Sequence, residues 1–223
     1  MQVDAIVVAA GRSTRFGTKD KLLTDLNGQP LIAWSLSALA KASSIRRVAI
    51  VGRTELLETL EAIGREVLGE AFLAVVAGGT RRQDSVEAGL QTVTSDYVAI
   101  HDGARPLVTP SLINACVSEA QKAAGAIPVA PVTDTIKEVE GAIIVGSPKR
   151  ERLRAAQTPQ VVHRQAWLEA AAISMEEETD DAAILARAGL QVRTVDGDPT
   201  NLKVTRLVDL TLAQALLIER GLE

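Results

Sequence analysis

The chain has 223 residues, a length typical of one domain, and its 24 Lys and Arg against 28 Asp and Glu give a net charge of −4. This mildly acidic balance argues against a broad basic surface for nucleic acid or an anionic membrane. Aromatic residues make up only 2% of the chain, which predicts an aliphatic core and excludes an aromatic stacking platform for single-stranded nucleic acid.

The first part of the chain alternates apolar runs with amphipathic segments. The runs predict strands at 5–10, 47–52, 72–76, 97–101 and 126–130, and the segments between them predict helices at 30–42, 54–68, 84–92 and 110–124. This alternation predicts an α/β fold with a mostly parallel central sheet, of the Rossmann-like kind.

The pattern changes after residue 133. Two short β-like stretches, 136–139 and 142–145, flank Gly141 and predict a β-arm that projects from the sheet at about 133–158. Beyond it, residues 161–162 return to the sheet, 164–174, 180–188 and 209–220 read as helices, and 192–195 and 202–204 read as late strands. We therefore expect a single domain over 1–223 with an inserted arm.

Cys116 is the only cysteine, so the chain has no intrachain disulfide and no thiolate metal site, and its apolar neighbours predict a buried structural thiol. The N-terminus lacks the features of a signal peptide, and no apolar run approaches the ~20 residues of a membrane span. We expect a cytoplasmic protein without a membrane partner.

Candidate site residues follow the predicted strands, because ligands of open α/β sheets bind beyond the carboxyl ends of the strands. The first such loop begins Ala9-Ala10-Gly11 and carries cations at Arg12, Arg15, Lys19 and Lys21. Backbone N–H groups and cations in such a loop suit phosphate oxygens. The dinucleotide and Walker fingerprints are both absent, and an ordinary turn with solvated charges is the alternative.

Two more loops carry polar groups at the same end of the sheet. In the second, Gly79 permits close approach of a ligand, and Ser85 either takes part in a site or caps the following helix. In the third, Asp102 is suited to a sugar hydroxyl or a magnesium ion and Arg105 to a phosphate, with a structural ion pair as the alternative. His101 beside them is predicted to be structural.

The fourth loop places Lys203 in a short apolar run, where it either snorkels to the edge or points at an anion. The chain has no Ser-His-Asp set and no cysteine nucleophile. The two histidines lie far apart without acidic companions, which argues against a histidine-based zinc site. Positioned cations without an obvious base suit phosphoryl or nucleotidyl transfer.

An ordered set of motifs narrows this chemistry. The motifs are Ala9-Ala10-Gly11-x-x-x-Arg15-Phe16-Gly17, Lys21-Leu22-Leu23, Gly78-Gly79-x-x-Arg82-x-Asp84-Ser85-Val86, His101-Asp102-Gly103-Ala104-Arg105-Pro106, Asp134-Thr135-Ile136-Lys137, Gln157-Thr158-Pro159-Gln160, Thr179-Asp180-Asp181 and Asn201-Leu202-Lys203-Val204-Thr205. Together they resemble the 2-C-methyl-D-erythritol 4-phosphate cytidylyltransferase family, from residue 3 to about 216. Asp20 departs from the proline that commonly precedes the family's lysine, and Gly103 stands where alanine is often found.

The resemblance implies transfer of a cytidylyl group from CTP to a polyol phosphate, with Mg²⁺ as the cofactor. It implies that Arg15 and Lys21 are catalytic. It assigns substrate positioning to Arg150, Lys203, Thr135, Thr158, Arg105 and Asp102, and nucleotide binding to Ala9, Ala10, Gly11, Gly79, Ser85, Asp102 and Ala104. No protein metal cage is implied, since CTP phosphates carry the ion and Asp102 is the one candidate ligand.

The resemblance also implies a homodimer with arm exchange, in which Thr135 and Arg150 serve the partner's site. No nucleic acid partner is implied. The nearest alternative is a ribitol 5-phosphate cytidylyltransferase, which shares the fold, nucleotide and mechanism. A dinucleotide-dependent oxidoreductase would need the missing glycine fingerprint, and a regulatory nucleotide-binding module would not need Arg15, Lys21, Arg150 and Lys203 together.

Overall fold

The computed structural model describes residues 1–11, 20–174 and 178–222. The strands in this part of the chain are β1 (Val3–Ala9), β2 (Asp25–Leu26), β3 (Gln29–Pro30), β4 (Ile45–Gly52), β5 (Phe72–Ala77), β6 (Tyr97–Asp102), β7 (Gly125–Pro131), β8 (Glu138–Glu140), β9 (Ile143–Gly146), β10 (Arg154–Ala156), β11 (Gln160–His163) and β12 (Val192–Asp196). The α-helices are α1 (Leu31–Lys41), α2 (Leu57–Leu68), α3 (Arg82–Leu90), α4 (Pro110–Ala120), α5 (Arg164–Ile173), α6 (Asp181–Arg187) and α7 (Leu207–Glu219).

The central sheet has eight strands in the order β10-β7-β11-β6-β1-β4-β5, with β12 paired to β7. β5, β4, β1 and β6 run parallel, and β12 is parallel to β7. β11 lies antiparallel between β6 and β7, and β10 is also antiparallel to β7. The predicted α/β fold with a mostly parallel sheet is confirmed, and the parallel strands end together at one edge.

Alternate residues of the central strands face two separate apolar cores. On β1, every second residue from Val3 to Ala9 packs with α1, α2, α4 and α7, whereas Ile6 faces α3, α5 and α6 on the other side of the sheet. Continuous apolar runs such as 5–10 are typical of strands covered on both faces. Among the described helices, none combines the length and apolarity that crossing a membrane requires.

The predicted arm is a hairpin of β8 and β9 outside the central sheet. Gly141 forms its turn with φ +58°, a backbone conformation that glycine adopts without steric cost. Val139, Ile143 and Ile144 are exposed on the hairpin. At its base the chain rejoins the sheet, where Arg154 of β10 lies opposite Pro131 of β7.

The predicted strand at 202–204 is wrong. This segment is irregular, although Val204 is fully buried and its N–H donates to the carbonyl of Ala104 at 2.9 Å. Burial of one apolar residue gives a short run the hydrophobic pattern of a strand without the ladder of backbone hydrogen bonds that makes one. The segment instead crosses the carboxyl end of the sheet beside β6.

Candidate active site

A cavity of about 190 Å³ lies at the carboxyl ends of the parallel strands. The loops after β1, β5 and β6 form its walls together with residues 21–22 and the segment around Lys203. Of the predicted site residues, it is lined by Ala9, Ala10, Gly11, Lys21, Gly79, Ser85, Asp102, Ala104 and Lys203. Groups that are far apart in the sequence therefore converge on one place.

A second cavity of about 230 Å³ adjoins the first. Arg105 and Thr158 line it, as do Thr179 and Asp180 at the start of α6. Asp102, Lys203 and Arg82 line both cavities. The wall that the two cavities share is thus made of charged side chains, which suits the meeting point of two anionic substrates.

Asp102 ends β6 and collects three cations. Its carboxylate lies 2.8 Å from Lys203 Nζ, 3.8 Å from Arg105 Nε and 3.8 Å from Arg82 Nη2. Burial alone would raise the pKa of Asp102, but the surrounding cations, Lys203 first, outweigh it and lower the pKa to about 2. Asp102 is therefore ionised at neutral pH and holds the cations in one cluster. Lys203 points at an anion, which was one of the two expectations for it.

Arg105 is held by backbone oxygens as well as by Asp102. Its Nη1 donates to the carbonyl of Asn201 at 2.7 Å, and its Nη2 donates to that of Ala156 at 3.4 Å. Burial lowers the pKa of Arg105, and the charge of Asp102 opposes that effect. The guanidinium therefore joins the segment that carries Lys203 to the end of β10, at the wall of the second cavity.

His101 has the structural role predicted for it. Its Nδ1 lies 2.9 Å from Thr158 Oγ1, and its Nε2 lies 3.3 Å from the carbonyl of Arg105. The backbone N–H of Asp102 donates to the same Thr158 hydroxyl at 3.1 Å. Since a carbonyl only accepts, Nε2 carries the proton and the Thr158 hydroxyl donates to Nδ1. Burial lowers the pKa of His101 to about 4, so the ring is neutral at pH 7.

The loop before α3 is shaped by Gly78 and Ser85. A Cβ at Gly78 would lie 2.5 Å from Ala10 Cβ, so glycine lets this loop approach the end of β1. Ser85 Oγ accepts from the N–H of Gly79 and donates to the carbonyl of Arg81, both at 3.2 Å. Ser85 therefore has the first-turn role that was the alternative for it, and it also lines the first cavity.

Arg82 is the site residue that the sequence analysis missed. Its Nη2 donates to Asp181 Oδ2 at 2.7 Å, and Trp167 Nε1 donates to the other oxygen of this fully buried carboxylate at 3.2 Å. Burial raises the pKa of Asp181, an effect that Arg82 opposes. The pairing of one arginine in the Gly79 loop with two consecutive aspartates, Asp180 and Asp181, was the available signal.

Three predicted residues are not among those the structure brings together. Arg15 lies outside the described residues, as do Arg12 and Lys19. Thr135 and Arg150 are exposed on the arm, and Arg150 Nη1 donates to the carbonyl of Thr133 at 2.8 Å. Within the described part of the chain, neither arm residue lines either cavity of its own subunit.

Comparison with known proteins agrees with this geometry. The sequence profile of a family described as 2-C-methyl-D-erythritol 4-phosphate cytidylyltransferase matches residues 3–219. The protein of that name from Prochlorococcus marinus (strain MIT 9313) is 43% identical, over 97% of this chain and 98% of its own length. The one from Thermus thermophilus, a crystal structure, is 30% identical with a TM-score of 0.79 and covers 97% of this chain and 98% of its own.

A more distant crystal structure shares the fold. The 4-diphosphocytidyl-2C-methyl-D-erythritolsynthase from Anaerococcus prevotii DSM 20548 is 23% identical and superposes with a TM-score of 0.85, over 97% of this chain and 96% of that one. The architecture is therefore retained where little sequence identity remains.

Proposed function

The chain belongs to the 2-C-methyl-D-erythritol 4-phosphate cytidylyltransferase family, and on this basis we infer that it transfers the cytidylyl group of CTP to 2-C-methyl-D-erythritol 4-phosphate. The products are 4-diphosphocytidyl-2-C-methyl-D-erythritol and pyrophosphate, in isoprenoid precursor biosynthesis. The observation that carries this function is the cluster of Arg82, Arg105 and Lys203 around Asp102, on the wall that two adjoining cavities share.

The reaction needs no strong base. An oxygen of the polyol phosphate, already ionised at pH 7, attacks the α-phosphorus of CTP, and the bond from that phosphorus to the oxygen that bridges it to the β-phosphate breaks. Repulsion between the two anions is the main obstacle, and fixed cations at the meeting point lower it. We assign the nucleotide to the first cavity and the polyol phosphate to the second, with Lys203 between them.

Lys21 and Arg15 are proposed to stabilise charge at the α-phosphate in the transition state. The position of Lys21 on the wall of the first cavity supports its part, and Arg15 is assigned by the resemblance alone. We expect Lys21→Ala and Arg15→Ala each to cost about 3 kcal/mol or more in transition-state stabilisation, measured as the fall in kcat/KM. Near-normal turnover of either variant would refute its assignment.

The residues present fit a magnesium ion carried by substrate phosphates. The described residues contain no group of three or more His, Cys, Asp or Glu side chains that could hold a metal ion, and Asp102 is the one carboxylate among those that line the first cavity. Mg²⁺ usually takes one or two protein carboxylates and completes its shell with phosphates and water. Asp102 would hold it, and the ion would supply charge neutralisation on the triphosphate.

A homodimer with exchanged arms is part of the proposal. The exposed apolar side chains of Val139, Ile143 and Ile144 support it, as does the position of Thr135 and Arg150 away from both cavities of their own subunit. We propose that these two polar residues reach the partner's second cavity. Mixing Lys21→Ala with Arg150→Ala subunits should restore activity, because one site of each mixed dimer has both residues. An active monomer in sedimentation would refute the exchange.

One assay tests the function. The protein is mixed with CTP, Mg²⁺ and either 2-C-methyl-D-erythritol 4-phosphate or ribitol 5-phosphate, and pyrophosphate release is followed. Release with the methylerythritol phosphate is expected. Release with ribitol phosphate alone would refute the substrate and favour the ribitol 5-phosphate alternative.

A further inference from the structure

Asp20 fixes the short helical turn that carries Lys21. Its Oδ1 accepts from the N–H of Leu22 at 2.8 Å, and its carbonyl accepts from the N–H of Leu23 at 3.2 Å and from Thr24 Oγ1 at 3.1 Å. The buried side chain of Leu22 anchors the turn in the core. The direction in which this turn presents Lys21 therefore depends on Asp20.

Arg53 holds the other oxygen of Asp20. Its Nη2 donates to Asp20 Oδ2, and its Nε lies 3.1 Å from Glu55 Oε1. The Asp20 side chain is 11% exposed and that of Arg53 is 19% exposed, so water screens this ion pair far less than an ordinary surface pair. Arg53 directly follows β4, and the pair thus ties the Lys21 turn to the end of a central strand.

The ion pair lies beside the proposed nucleotide site. Lys21 lines the first cavity, while Arg53 lines a neighbouring one that shares Gly11, Gly79 and Thr80 with it. A carboxylate without its cation at this position would repel a triphosphate in the first cavity. Arg53 therefore has two effects that can be separated: it fixes Asp20, and it cancels the charge of Asp20.

We propose that Asp20 and Arg53 are positioning residues for cytidylyl transfer, which present Lys21 to the nucleotide and keep the Asp20 carboxylate from opposing it. The proposal rests on the proposed function, since it takes Lys21 to act on the α-phosphate. Neither residue needs to touch the substrate. A displacement of a catalytic cation by about 1 Å is enough to cost on the order of 100-fold in rate.

The test compares Arg53→Ala, Asp20→Asn and the double variant by pyrophosphate release over a range of CTP concentrations. We expect Arg53→Ala to lower kcat about 10- to 100-fold. Asp20→Asn keeps an oxygen for the N–H of Leu22 and should lose less than about fivefold. The double variant should be at least about fivefold faster than Arg53→Ala, because it no longer has the unpaired carboxylate.

Matched controls separate positioning from stability. Lys122→Ala removes an exposed ion pair with Glu119 on α4 and should leave kcat unchanged. Thermal melts establish that every variant is folded at the assay temperature. If Arg53→Ala does not fold, Arg53→Lys takes its place, because it keeps the charge and loses the fork geometry; kcat should then fall about 3- to 10-fold.

The outcomes are distinct. Folded Arg53→Ala with a kcat within about twofold of the unchanged protein, or a double variant no faster than Arg53→Ala, overturns the proposal. An unchanged kcat in Arg53→Lys does the same where that variant carries the test. If Lys21→Ala is inactive while Arg53→Ala is not impaired, only this proposal fails. If Lys21→Ala is fully active, the role assigned to Lys21 fails first and the proposal falls with it.

Discussion

Acid should destabilise the protein through His101 before most carboxylates titrate. The ring is fully buried between Thr158 and the carbonyl of Arg105, and burial lowers its pKa from 6.5 to about 4. Between these two pH values the unfolded chain binds a proton that the folded chain does not. Stability is therefore complete above pH 6.5 and falls as the pH is lowered towards 4.

The size of the effect follows from the two pKa values. Each pKa unit corresponds to about 1.4 kcal/mol, so the full loss is about 3 kcal/mol, of which about 2 kcal/mol appears by pH 5. That share is a large part of the stability of an ordinary domain. Above pH 5 most carboxylates remain ionised in both states, which leaves the two histidines of the chain to dominate this window.

The assay is urea unfolding of the unmodified protein and of two variants at pH 7, 6 and 5. His101→Gln should show little change in the free energy of unfolding between pH 7 and 5, whatever its stability at pH 7. His163→Asn is the matched control, because His163 caps α5 through Nδ1 and keeps part of its surface exposed. Equal stability of the unmodified protein at pH 7 and 5, or an unchanged slope in His101→Gln, would refute the reasoning.

Three further predictions concern buried charges and the thiol. Asp181→Asn should cost about 3–5 kcal/mol in urea unfolding, because it leaves Arg82 without its buried partner at 2.7 Å; a loss below about 1 kcal/mol would contradict this. Lys203→Met should lower kcat/KM for the polyol phosphate about 100-fold through loss of the cation 2.8 Å from Asp102, and normal kinetics would exclude Lys203 from the site. Cys116, whose pKa burial raises to about 12, should react with a thiol reagent only after unfolding, and rapid labelling of the folded protein would count against its burial.

Local pattern was enough to predict most of the sheet. The run at 5–10 forms a strand because both of its faces are covered, and such a run differs visibly from its amphipathic neighbours. Pairing between distant segments was not predictable in the same way. The place of β11 between β6 and β7 depends on contacts that no local pattern contains, and the apolar run at 202–204 has no neighbouring strand to pair with among the described residues.

The site was predictable where topology decides it. Asp102 and Lys203 were expected together because both were placed in loops at the same edge of the sheet, and they lie 2.8 Å apart. Arg82 was missed because its partner Asp181 is 99 residues away and reads as an ordinary first-turn aspartate of α6. An interaction between two such residues is visible only when the packing of α3 against α5 and α6 is known.

The base of the arm has a consequence for how the chain tolerates change in length. Pro131 and Arg154 are direct partners across β7 and β10, so the chain leaves and re-enters the sheet at adjacent points. A short turn could join these two points, and the free energy of closing a loop changes only slowly with its length. The arm is therefore a module that can be lengthened, shortened or removed while the sheet and both cores stay closed.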